Sequence, residues 1–151
     1  MCIHQILEII KSLLPIILGV FLAYIAWQQM KTNKNKLKLD LFYKRIEVYT
    51  DTIMFIQNLR VEGVPEEIRK KFLTSKGLSS FLFSKSPEIY ELINKIHSES
   101  FKVTGLNEIR NTAGIPDDLL SQSAQDALNV QSWLLKQPTE LRNLMNKYLA
   151  L

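Results

Sequence analysis

The chain has 151 residues, 46% of them hydrophobic and 23% charged, with 19 Lys and Arg against 15 Asp and Glu and a formal charge of +4. That length holds one domain, and five Gly, five Pro and a single Cys exclude a collagenous repeat, a low-complexity tail and a disulfide framework. A mean hydropathy near zero is an average, and the apolar residues and the surplus charge are segregated along the chain.

Residues 1–11 read as a short amphipathic segment. Ile3, Ile6, Leu7 and Ile10 recur at helical spacing, while His4, Glu8 and Lys11 share the other face. Such a segment either lies in a membrane interface or lengthens the helix that follows it. His4 has no second metal ligand near it in sequence and reads as solvated. Cys2 follows only Met1, which is no lipoprotein setting, so no lipid anchor is expected.

Residues 12–30 contain no Asp, Glu, Lys, Arg or His, and 13 of the 16 residues from Ser12 to Trp27 are apolar. Those 19 residues, at about 1.5 Å each, reach roughly 28 Å, close to the ~30 Å hydrocarbon thickness of a bilayer. The expectation is one transmembrane helix, with Tyr24 and Trp27 at the headgroup level at its C-terminal end. A buried core helix rarely runs five turns without a charge. A cleaved signal peptide is disfavoured because Glu8 offsets Lys11 and the sequence Ala23-Tyr24-Ile25-Ala26-Trp27 lacks an A-x-A cleavage spacing. Gly19, Ala23 and Ala26 form a small-residue face that lets two such helices approach closely.

Residues 31–45 read as a basic juxtamembrane linker helix. Lys31, Lys34, Lys36, Lys38, Lys44 and Arg45 stand against Asp40 alone, a local balance of +5, whereas residues 46–151 carry 12 basic and 13 acidic side chains. Positive charge beside a span stays in the cytoplasm. The expected topology is therefore single-pass in a bacterial inner membrane, N-terminus outside and C-terminal domain inside. The same cations would attract anionic lipid headgroups. Nucleic-acid binding is not expected, because the cations abut the span and do not line a face of the domain.

Residues 46–151 read as a cytoplasmic helical domain. No Gly or Pro interrupts the chain from Val20 to Glu62, so the spanning helix is expected to run on into the domain's first helix. Leu39, Phe42, Ile46, Tyr49, Ile53 and Ile56 form one apolar stripe of that helix, and Leu41, Val48, Phe55 and Leu59 a second. Asp40 and Lys44 are placed for an i,i+4 pair. Gly63-Val64-Pro65 breaks the pattern; Pro65-Glu66-Glu67 starts a helix carrying Ile68, Phe72 and Leu73, and Lys76-Gly77 is expected to end it. After the short apolar piece Phe81-Leu82-Phe83, Ser86-Pro87-Glu88 starts a helix reaching about Val103, with Ile89, Leu92, Ile93 and Ile96 on its face. Gly105 to Gly114 reads as a loop. Ile115-Pro116-Asp117-Asp118 starts the next helix, with Leu119, Leu120, Ala124, Ala127, Leu128, Gln131, Leu134 and Leu135 at core spacing. Pro138 opens the last, with Leu141, Leu144, Met145, Tyr148 and Leu149. No segment alternates with period two, so the fold class is all-α, a bundle of about five helices continuing from the transmembrane helix.

No catalytic, metal-binding or cofactor-binding residues are expected. Two distant His and one Cys make no ligand cluster, and neither a glycine-rich phosphate loop nor a nucleophile elbow occurs. His97 reads as a boundary residue at the edge of a helical core, with no nucleophile to serve. Glu66-Glu67 and Asp117-Asp118 are first-turn acids favoured by the helix dipole.

The stretch from Trp27 through Gln28, Gln29 and the lysines to Leu39-Asp40-Leu41-Phe42-Tyr43-Lys44-Arg45, with Val48-Tyr49, Phe81-Leu82-Phe83 and the segment Trp133 to Leu151, resembles a group of uncharacterised bacterial and phage-encoded single-pass membrane proteins. In that group a Q-Q/N-K linker leads into an L-D-L-F-x-K-R-x-x-V-Y helix. The resemblance implies the topology and supplies no activity. The expected function is that of a non-enzymatic, membrane-anchored interaction or scaffold protein presenting a helical domain to a cytoplasmic partner or a second copy. The alternative is a membrane-acting effector, of phage-defence or mobile-element type, that oligomerises through its spanning helix.

Overall fold

The protein is described by a computed structural model over residues 2–59, 63–110 and 116–149. Among these residues are five α-helices and no strand: α1 (Cys2–Leu59), α2 (Glu66–Leu82), α3 (Pro87–Arg110), α4 (Asp117–Leu134) and α5 (Gln137–Leu149). The chain divides into two compact units, Met1–Asp40 and Leu41–Leu151.

The first unit is helix throughout its described length, with Pro15 inside the helix. From Leu13 to Asp40 every side chain is exposed except the half-buried Ile25. A helix of this composition has no stabilising partner in its own unit.

The second unit has its own hydrophobic core. The Leu41–Leu59 part of α1 supplies Val48, Phe55, Ile56 and Leu59, α2 supplies Phe72, and Phe83 follows it. Ile89, Leu92, Ile93, Ile96 and Val103 come from α3, Val130 and Leu134 from α4, and Leu141 and Met145 from α5. Val48, Phe55 and Leu59 of the second stripe make most of the α1 contribution, whereas Leu41 is half-buried, Leu39 is exposed, and Tyr49 and Ile53 pack at the core's edge. Thr52 lies within the buried stripe and donates its hydroxyl to the Val48 carbonyl at 2.7 Å, so its polarity is satisfied inside the helix.

The helix starts fall at the Pro-acid signals. Pro65 precedes α2, and its first-turn acids Glu66 and Glu67 pair with Lys70 at 2.7 Å and Lys71 at 3.0 Å. Pro116 stands before Asp117 and Asp118 of α4. Gly63 is the glycine that makes a turn, with φ at 110° in the left-handed region that L side chains avoid.

Three expectations need correction. Gly77 does not end a helix: α2 continues through Leu82, because Phe72, Ser75 and Ser79 all face inward and burial outweighs the roughly 1 kcal/mol glycine penalty. Gly105 likewise lies inside α3, which extends to Arg110; the rest of the expected loop, residues 111–114, lies outside the described residues. Of the face expected for α4, Leu119 and Leu128 are exposed, as is Leu135 just past the helix end, while Val130, absent from that face, is buried.

Candidate functional site

The sequence points to two groups of residues: an apolar, small-residue face on residues 12–30 and the cations behind it. Within the first unit the large apolar side chains face outward, with Leu14 63%, Val20 68% and Phe21 59% exposed. The Leu13–Leu59 part of α1 contains a stretch long and apolar enough to cross a membrane, and no side chain of that stretch is buried. Gly19, Ala23 and Ala26 share one face of the helix. A Cβ built on Gly19 meets no atom within 4 Å, so close approach of another helix is sterically open there.

At the end of the apolar stretch, the Tyr24 hydroxyl accepts a hydrogen bond from Gln28 Nε2 at 2.9 Å. The Tyr24 and Trp27 rings lie 6.3 Å apart, tilted by 40°. Lys31 Nζ stands 5.8 Å from the centre of the Trp27 ring, within cation–π reach. Lys34, Lys36 and Lys38 are exposed.

The last two cations of the series behave differently and belong to the second unit. Lys44 pairs with Glu47 at 2.7 Å, not with Asp40 as its spacing suggested. That contact raises the Lys44 pKa through its hydrogen bond and the nearby charge. Arg45 is half-buried, and its guanidinium carbon lies 4.9 Å from the centre of the Tyr148 ring. The Tyr148 ring meets Phe83 edge-on at 5.2 Å, and its hydroxyl shares a hydrogen bond of 2.9 Å with the buried Ser86. Arg45 therefore ties the start of the domain's first helix to α5 and to the α2–α3 turn. Nothing in the local sequence separates it from its neighbours, because its partner is more than a hundred residues away.

His97 sits at the edge of the core, as its position beside Ile96 suggested. Its ring lies 5.9 Å from Phe72 and 5.0 Å from Phe101, and Nδ1 is 3.1 Å from Lys76 Nζ. Burial, then the charges of Lys76 and Arg69, hold its pKa below the usual imidazole value. Lysine only donates, so Nδ1 accepts and the neutral ring carries its proton on Nε2. Among the described residues no group of three or more His, Cys, Asp or Glu side chains converges. No family model, curated protein or solved structure matches this chain.

Proposed function

We propose that this is a membrane-anchored interaction protein without an enzymatic role. Residues 12–30 cross a bacterial inner membrane once with the N-terminus outside, and Lys31, Lys34, Lys36 and Lys38 hold the following chain at the anionic cytoplasmic leaflet. The helical unit is then the part offered to a cytoplasmic partner or a second copy. The observation that carries this reading is an apolar stretch of α1 in which no described side chain is buried, followed directly by exposed cations. Leaving such residues in water forfeits about 1.5–3 kcal/mol for each large apolar side chain, which a bilayer restores.

Reporters fused after Leu151 test the orientation. A cytoplasmic reporter is expected to be active there and a periplasmic one silent; the reverse pattern overturns it. In-cell crosslinking with mass spectrometry then identifies the partner class.

The open Gly19/Ala23/Ala26 face supports a second reading, an effector whose spans assemble and permeabilise the bilayer. On that reading overexpression depolarises cells and replacing all three residues with Leu abolishes the effect. A parent chain that leaves the membrane potential unchanged excludes it.

A further inference from the structure

A cavity of about 250 Å³ opens within the second unit where the end of α1 meets α2 and α3. Phe55 and Leu59 of α1, Arg69 and Leu73 of α2, and His97 and Phe101 of α3 line it. Its floor belongs to a run of aromatic rings. Phe55 stacks on Phe72 at 3.9 Å with planes 7° apart, Phe72 leads to His97, and His97 leads edge-on to Phe101. Phe101 is 61% exposed and Leu73 42%, so the cavity has an apolar rim at its mouth.

Its polar side is cationic. Arg69 lines the cavity, and Lys76 stands behind His97 on the Nδ1 side, which leaves the Nε2 proton as the imidazole's donor. Among the described residues neither Arg69 nor Lys76 has a carboxylate within ion-pair distance, whereas Lys70 and Lys71 on the same helix both do. Asp51, the α1 carboxylate that meets α2, accepts the hydroxyl of Ser75. The two hydroxyls in the wall, Ser100 and Thr104, donate to helix carbonyls: Ser100 to His97 at 2.6 Å, Thr104 to Ser100 and Phe101 at 3.3 Å. The donors left to a guest are therefore the guanidinium and the imidazole. Both stand beside an apolar, aromatic floor, and among the described lining residues no acid opposes them.

We propose that this cavity binds a small aromatic carboxylate, its carboxyl group on Arg69 and His97 and its ring against Phe55, Leu73 and Phe101. A guanidinium grips a carboxylate through two parallel hydrogen bonds, and the carboxylate relieves the repulsion among Arg69, Lys76 and the imidazole dipole. The volume sets the size of the guest: a cavity of about 150 Å³ takes benzene, so one of 250 Å³ takes roughly ten non-hydrogen atoms. Phenylacetate has that size and both chemical parts. The site lies wholly within the Leu41–Leu151 unit and does not depend on the membrane reading.

The test is a titration of the full chain, in phosphatidylcholine nanodiscs, with phenylacetate, followed by the imidazole resonances that His97→Gln removes. Saturable shifts with a Kd of about millimolar are expected for a ligand of this size. Arg69→Gln, a change at an exposed side chain, should weaken binding at least about tenfold, and Lys85→Gln, outside the cavity, should leave it unchanged. Toluene, with the ring and no charge, should bind more weakly than phenylacetate. Absence of saturation overturns the proposal, as does equal binding by Arg69→Gln or equal weakening by Lys85→Gln. Full displacement of phenylacetate by inorganic phosphate at the same concentration also overturns it, since the ring would then contribute nothing.

Discussion

Among single residues, Tyr148 and His97 carry the most specific consequences. Tyr148 joins Arg45, Phe83 and Ser86, so Tyr148→Phe keeps the ring contacts and loses only the hydroxyl's hydrogen bond. The expected cost is about 1 kcal/mol in a denaturant titration, and Tyr148→Ala should cost several times more because the cation–π and edge-on contacts go too. Neither effect is foreseeable from the amphipathic pattern, which marks Tyr148 as apolar and Arg45 as one more topogenic cation. His97 sets a pH dependence. Burial, Lys76 and Arg69 lower its pKa in the folded chain, so near pH 6.5 the unfolded chain binds the proton more readily. Its contribution to stability is therefore complete above the ordinary imidazole value and is lost as pH falls through the folded value. His97→Gln should flatten the acid side of the stability–pH curve below the ordinary imidazole value; an unchanged slope would show that His97 takes no part in it.

At the level of the helix, glycines and the C-terminus make separable predictions. Gly77 lies in α2 with open space where a Cβ would stand, since no atom comes within 4 Å of that position; Gly77→Ala should stabilise the chain by about 0.5–1 kcal/mol. Gly63, at φ 110°, should respond in the opposite sense, with Gly63→Ala losing about 1 kcal/mol or more in the same titration. Ending the chain at Gln137 removes Leu141, Met145 and Tyr148 from the core and should abolish cooperative unfolding; a monodisperse, cooperative product would contradict the packing of α5. Helix starts were legible because Pro followed by acids acts through local geometry and the dipole. The continuation of α2 through Gly77 and of α3 through Gly105 was not, because there the tertiary burial of residues on either side outweighs a glycine's small intrinsic penalty. Leu119, Leu128 and Leu135 were misplaced for a different reason: the apolar residues of α4 and its C-terminal cap cover more of the circumference than the neighbouring helices bury.

For the molecule as a whole, the segregation of hydropathy and charge was plain in the sequence, since both features lie in contiguous stretches. The cavity was not, because Arg69, Lys76, His97 and Phe55 come from three helices and meet only through packing. The Leu41–Leu151 unit holds its own core, so a chain beginning at Leu41 should fold cooperatively without the preceding residues, with Phe72→Ala costing it about 3–5 kcal/mol. The central claim concerns the other unit. Alkaline carbonate extraction of membranes from cells producing the full chain tests it most directly: the protein should stay in the membrane pellet, and Leu18→Lys together with Leu22→Lys should release it. Recovery of the unaltered chain in the supernatant would contradict membrane anchoring.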